Sequence, residues 1–146
     1  MKVEFHSGVV DKLASACGFL RRAGEAGAAV TVCADTATLD RLDLALWCAE
    51  PLSFLPHLRM RPGRPVAPAV LARTHIRLAE RAQAPAQGAV LLNLGPELAD
   101  HWDRYERVVE IISNEADDAA AGRQRWRNYV QRVDIELVHK PRQAAP

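Results

Sequence analysis

The first half of the chain alternates between hydrophobic positions spaced as in strands and hydrophobic positions spaced as in helices. Residues 3–6 alternate apolar and polar side chains and predict a short strand, and residues 13–23 show the helical spacing of a first helix. Residues 29–34 are rich in β-branched side chains, which predicts a buried strand. A second helix is predicted from residue 36 to residue 49, because Pro51 ends it.

The second half of the chain begins with a proline-rich loop. Residues 56–68 carry four prolines and one glycine, so we predict an irregular loop with no strand inside it. Residues 70–80 predict at least one strand, half-exposed and at the edge of the sheet. Residues 89–94 are apolar on both faces and predict a central strand.

The remaining pattern completes an alternation of strands and helices. We predict a short helix over residues 96–102, a strand over 107–112, a long helix over 114–133 capped by Asn114, and a last strand over 134–138. This order predicts a single α/β domain over residues 1–140 with a flexible tail at 141–146. We expect a mostly parallel twisted sheet with antiparallel additions at its edge and helices on both faces, a nucleotide-binding-like topology.

Composition and cysteine use narrow the class of protein. Hydrophobic residues make up 49% and charged residues 25% of the chain, which is the balance of a folded globular domain. No apolar stretch approaches the roughly 20 residues of a membrane-spanning helix. Cys17, Cys33 and Cys48 lie among apolar residues and are odd in number, which predicts buried reduced thiols in a cytoplasmic protein.

The motifs that carry common chemistry are missing from the sequence. The first predicted strand is followed by His6, Ser7 and Gly8, without the glycine pattern or the lysine of a phosphate loop. The five histidines are scattered without metal-ligand spacing, and no serine or cysteine has the surroundings of a nucleophile. We therefore predict a protein with no catalytic site, metal or cofactor.

The second predicted helix carries two large apolar residues opposite its core stripe. On a helical wheel Leu44 and Trp47 point away from the leucines that face the core. Burying a tryptophan is worth roughly 2 to 3 kcal/mol, so either a loop of the same chain or another protein is expected to cover it. Phe54 follows closely in the sequence and can extend the same patch.

The last predicted helix carries an apolar strip bordered by arginines. Trp126 and Val130 lie on the strip, Arg123 lies at its edge, and Arg127 continues the basic flank. This arrangement suits an acidic peptide with an apolar anchor, because a guanidinium takes a carboxylate through two hydrogen bonds. The alternative is a solvated face whose arginines cover the protein's own core.

Positive charge is concentrated at the C-terminal end of the chain. The net charge is only +1, yet residues 121–146 hold six basic side chains against two acidic ones. A direct single-stranded nucleic-acid-binding module built on this arginine-rich helix is therefore an alternative function. The low overall charge predicts that such binding would be weak and strongly salt-dependent.

Two segments of the sequence resemble a known family. Residues 42–47 (LDLALW), followed by residues 53–57 (SFLPH), resemble the signature of the chi subunit of bacterial DNA polymerase III. The later strands and the arginine-rich helix follow in the order of that family, so the resemblance covers nearly the whole chain. It implies an α/β fold without a working phosphate loop, and a non-catalytic adaptor of the clamp loader in DNA replication.

The resemblance also implies two protein partners. The psi subunit, which links chi to the clamp loader, is expected to bind Trp47 and Phe54, with Leu44 beside them. The acidic C-terminal tail of single-stranded DNA-binding protein is expected to bind a set of residues around the last helix, namely Ile112, Arg123, Trp126, Arg127 and Val130. DNA itself would be met only indirectly, and no membrane is expected.

This sequence departs from the family pattern at two positions of the expected tail site. A basic residue that the family is expected to have near Ala119 is missing here, and Trp126 stands where the family more often has tyrosine.

Overall fold

A computed structural model of the chain describes residues 1–48, 54–83, 85 and 89–142. Its strands are β1 (Lys2–Val9), β2 (Val30–Cys33), β3 (Leu58–Arg59), β4 (Ile76–Ala79), β5 (Val90–Asn93), β6 (Arg107–Ser113) and β7 (Glu136–Pro141). Its helices are α1 (Lys12–Glu25), α2 (Thr36–Cys48), α3 (Pro68–Arg73) and α4 (Ala116–Val130), with one 3₁₀ turn at Trp102–Arg104. The strands form one sheet, so the predicted α/β domain is confirmed.

The sheet has the order β3-β4-β2-β5-β6-β1-β7, and each of its described strand pairs is parallel. The mostly parallel sheet is thus confirmed, whereas the predicted antiparallel additions at its edge are wrong. The last strand is parallel because α4 carries the chain back along the sheet before β7 pairs with β1.

Helices pack on both faces of the sheet, as predicted. The core on one face joins α1 and α2 to alternate residues of β6, including Val109 and Ile111. The core on the other face joins α4 to the intervening residues, including Val108 and Ile112. Because successive residues of a strand point to opposite faces, β6 supplies both cores.

The most buried predicted strand is central, whereas the loop prediction before it is wrong. All four residues of β5 are buried, and β5 is the fourth of the seven strands. Within the predicted loop over residues 56–68, Leu58 and Arg59 form β3 beside Arg77 and Leu78. Buried and partly buried residues alternate along β4, as predicted. Because β3 lies outside it, β4 is not the edge strand.

Three helix predictions differ from the structure. Residues 70–73, at the start of the segment predicted as strand, belong to α3, which has Pro68 in its first turn. The helix predicted over residues 96–102 is absent, because the side chain of Asn93 binds the backbone of Gly95 and Glu97 and holds a turn there. The last helix starts at Ala116 and ends at Val130, inside its predicted bounds.

Cysteine burial follows the prediction only in part. Cys33 is buried and Cys17 is half-buried, but Cys48, at the end of α2, is exposed. Among the described residues no helix is long and apolar enough to cross a membrane. Of the predicted tail, Pro141 belongs to β7 and the Arg142 N–H donates to the Ser7 carbonyl at 2.9 Å, while residues 143–146 lie outside the described residues.

Candidate protein-binding surfaces

Leu44, Trp47 and Phe54 form an aromatic patch at the C-terminal end of α2. Their exposed fractions are 64%, 60% and 47%, so the described part of the chain does not cover them. The rings of Trp47 and Phe54 are tilted by 31° with centroids 4.6 Å apart. The structure therefore leaves exposed the two residues predicted to point away from the core, Leu44 and Trp47, and it pairs Trp47 with Phe54, which was predicted to extend the same patch.

The patch rests on a buried histidine. The His57 side chain is fully buried, and its ring lies 5.5 Å from the Trp47 ring and 5.9 Å from the Phe54 ring. Nε2 lies 2.8 Å from Asp43 Oδ1, and Nδ1 lies 2.7 Å from the Leu55 carbonyl oxygen. Both ring nitrogens thus hold the imidazole in place under the two aromatic rings. The sequence signal for it was the Pro-His pair that closes the family-like segment.

Four residues of α4 form a second surface, the helix strip of Arg123, Trp126, Arg127 and Val130. Trp126 is half-buried, with its ring edge-on to Phe5 at 5.0 Å and 85°. Val130 is 57% exposed, and both arginines are exposed. The strip therefore presents apolar surface next to positive charge.

The two arginines of the helix strip differ in their contacts. Arg127 Nη1 donates to Gln124 Oε1 at 2.8 Å. Arg123 has neither a hydrogen bond nor an ion pair with any residue that the structure describes. Among the described residues nothing competes with an external anion for its guanidinium.

Ile112 lies beneath the helix strip and is only 4% exposed. A Cβ atom on Gly122 would lie 2.8 Å from Ile112 Cγ1, closer than real contacts allow. Gly122 therefore lets α4 approach β6, and Ile112 supports the helix from below. The structure brings the other four predicted tail-site residues to one surface and places Ile112 under it.

A buried ion pair between α4 and the sheet was missed by the sequence analysis. Arg125 is 1% exposed, and its Nε donates to Glu110 Oε2 at 2.8 Å. Arg125 Nη1 donates to the Pro96 carbonyl at 2.8 Å, and the Tyr129 hydroxyl lies 3.4 Å from Glu110 Oε2. Burial raises the pKa of Glu110 to about 7, although the Arg125 guanidinium acts in the opposite direction. The isolated Glu110 in an apolar strand pattern was the available signal.

These contacts reduce the free positive charge of the C-terminal region. Arg125 is buried against Glu110 inside the protein, and Arg132 forms an ion pair with Asp134 at 2.8 Å. Of the three arginines of α4, Arg123 and Arg127 are therefore the ones that keep exposed positive charge.

The turn where related folds hold a phosphate is occupied by an acidic side chain. Asp11 caps α1, and its carboxylate accepts a hydrogen bond from the Ala14 N–H at 3.0 Å. A phosphate would need this same helix terminus and would meet a negative charge there. Among the described residues no cluster of His, Cys, Asp and Glu could hold a metal ion.

Comparison with known proteins shows the family of the chain. A search of curated protein sequences finds no significant match. The family model for the DNA polymerase III chi subunit, HolC, matches residues 1–136 of the 146-residue chain. The chain therefore belongs to the DNA polymerase III chi subunit family, whose members are accessory subunits of the replicative polymerase.

Proposed function

We propose that this protein is a non-catalytic cytoplasmic adaptor that links the clamp loader to single-stranded DNA-binding protein during DNA replication. The clamp loader is reached through a psi subunit, and single-stranded DNA-binding protein is reached through its acidic C-terminal tail. The two surfaces lie on different helices, α2 and α4, so both partners can bind at once.

The aromatic patch is the proposed psi interface. Hot spots of protein interfaces are enriched in tryptophan and cluster in the centre of a contact. Trp47 and Phe54 are already paired and supported by His57, so little side-chain freedom is lost when a partner covers them.

The helix strip is the proposed tail site. The terminal carboxylate of the tail pairs with Arg123, and its last phenylalanine packs on Trp126 and Val130 above Ile112. The observation that carries this proposal is the guanidinium of Arg123, which has no partner in the described part of the chain and stands beside exposed apolar surface. A buried carboxylate paired with it would have argued against the site.

The tail site is tested by fluorescence anisotropy with a labelled acidic peptide that ends in phenylalanine. We expect saturable binding that weakens by about 2 kcal/mol or more in Arg123→Ala. The affinity should be unchanged in Arg64→Ala, which changes an exposed arginine in the loop before α3. Amidation of the peptide terminus removes the carboxylate, so it should weaken binding to the native protein but hardly affect Arg123→Ala. Absence of saturable binding at low salt, or equal loss in both variants, would refute the tail site.

The psi interface is tested by titrating the native protein and Trp47→Ala into the clamp-loader accessory subunit of the same organism. We expect tight binding that is lost in Trp47→Ala and retained in Val133→Ala, a fully exposed apolar residue outside the patch. A mobility shift of single-stranded DNA by the purified protein, lost in Arg123→Ala, would instead favour the alternative of direct nucleic-acid binding.

A further inference from the structure

A groove with a basic rim lies on the sheet face opposite α4. It encloses about 630 Å³ between one side of α1 and the open surface of β1 and β7. Its floor is apolar and includes Val9, Val109 and Ile111, which also belong to the core under α1. The helix strip is on the other side of the sheet, so this basic groove is a separate surface.

The groove is open because α1 packs over β6 and presents small side chains toward β7. Ser15 and Gly18 line the helical wall. A Cβ on Gly18 would meet only Arg22 Nη1, at 3.4 Å. A ligand side chain beside Gly18 would therefore meet the flexible end of the Arg22 side chain.

More basic than acidic side chains line the groove. Arg22 lines the helical wall, and Lys140 and Arg142 line the wall formed by β7. The side chains of Arg22 and Arg142 have no hydrogen bond or ion pair within the described ranges. Lys140 lies 3.7 Å from Glu4, but Arg107 already pairs with that carboxylate at 2.7 Å. The acid in the groove wall, Asp11, is engaged in capping α1.

We infer that the basic groove binds an acidic peptide segment that carries apolar side chains. Guanidinium groups match carboxylates through paired hydrogen bonds, and the aliphatic floor accepts apolar side chains between them. Single-stranded nucleic acid fits less well, because its bases need exposed aromatic rings on which to stack. Two rings line the groove: Phe19 is 8% exposed and lies under the Arg107 guanidinium at 5.5 Å, and the partly exposed His6 ring is held by Glu4 at 3.3 Å.

The test uses a fluorescein-labelled, C-terminally amidated peptide of alternating acidic and aliphatic residues, titrated into the full chain. We expect saturable, salt-sensitive binding that weakens about tenfold or more in Arg22→Glu/Arg142→Glu, since two charge-assisted contacts are reversed. Gly18→Leu should weaken binding similarly, because it fills the groove without changing the charge. The control Arg41→Glu/Arg64→Glu has the same net charge as the first variant and should bind like the native protein.

NMR mapping of the peptide site on the isotope-labelled native chain keeps the test decisive if a variant fails to fold. Peptide-induced shifts of amide resonances on α1 and β7 support the inference, and shifts confined to α4 overturn it. Absence of saturable binding, equal loss in the charge control, or loss in Arg123→Ala would also overturn it. So would preferential binding of oligo-dT over the peptide in the same groove. Failure here leaves the tail site intact, because the amidated probe lacks the terminal carboxylate and phenylalanine that Arg123 and Trp126 are proposed to bind.

Discussion

Gly122 of α4 and Ile112 of β6 are so close that a methyl group on the glycine would lie 2.8 Å from Ile112 Cγ1 and 3.2 Å from its Cγ2. This contact sets the distance between the helix strip and the sheet. The close packing against Ile112 explains a glycine at position 122, although a glycine inside a helix lowers the stability of the helix by about 1 kcal/mol relative to alanine.

Gly122→Ala is expected to lower the free energy of unfolding by about 1–3 kcal/mol, because overpacking against Ile112 exceeds the gain in helix propensity. Urea denaturation measures the change. Combined with Ile112→Ala, the same substitution should cost less than it does alone. Gly18→Ala, whose Cβ meets only the end of the Arg22 side chain, is the matched control and should stabilise the protein. A stabilising Gly122→Ala would contradict the close approach.

His57→Ala is expected to lower the free energy of unfolding by about 1–3 kcal/mol, since it removes a buried ring and leaves the Leu55 carbonyl without its partner. It should also weaken binding at the aromatic patch, although His57 itself is covered by Trp47 and Phe54. Denaturation and titration with the clamp-loader accessory subunit measure the two effects. His75→Ala, at an exposed histidine, should change neither. An unchanged affinity in a less stable His57→Ala would mean that the histidine only supports the fold.

Removal of Arg125 is expected to change how stability depends on pH. Because the pKa of Glu110 is raised to about 7, folded protein keeps a proton that the unfolded chain releases above about pH 4.5. Stability therefore falls between about pH 4.5 and 7, by on the order of 3 kcal/mol, and then levels off.

In Arg125→Met the opposing guanidinium is gone, so the decline should continue above pH 7. Glu110→Gln/Arg125→Met has no titrating group at this position and should lack the decline altogether. Denaturation series from pH 5 to pH 9 compare the three proteins. Parallel profiles for the native protein and Arg125→Met would show that Glu110 does not titrate in this range.

A strand or helix could be predicted from the sequence where its hydrophobic residues follow a clear strand or helix spacing. The buried strand at Val90–Asn93 and the helix at Thr36–Cys48 are of this kind. The two-residue strand at Leu58–Arg59 could not be predicted, because it exists only through pairing with β4. The turn after Asn93 is held by that side chain and also by a contact that is distant along the chain, the bond from Arg125 to the Pro96 carbonyl.

The candidate sites could be predicted as far as a helical wheel gives the direction in which each side chain points. It placed Trp47 away from the core and Trp126 on the strip beside Arg123, as the structure has them. The wheel puts Arg125 one turn before Tyr129, but it could not show that the guanidinium is buried against Glu110, because burial of a charge depends on a partner in another element. The basic groove was missed for the same reason, since α1 and β7 are far apart in the sequence.

Glu4 is a buried carboxylate in β1 that is surrounded by cations. Burial opposes its ionisation, but hydrogen bonds from Arg107 and His6 and the charges of Arg107 and Lys140 lower the pKa of Glu4 to about 2. A lowered pKa in the folded state contributes stability that is complete above about pH 4.5 and is lost as the pH falls toward 2.

Glu4→Gln should therefore be less stable than the native protein at pH 7, by about 1–2 kcal/mol, because the partly exposed cations screen part of the effect. The two stabilities should converge as the pH falls from 5 to 2, which denaturation at successive pH values measures. Glu25→Gln, at an exposed carboxylate at the end of α1, should follow the native profile throughout. A constant difference between Glu4→Gln and the native protein at every pH would mean that the side chain acts through packing, and that its charge adds nothing to stability.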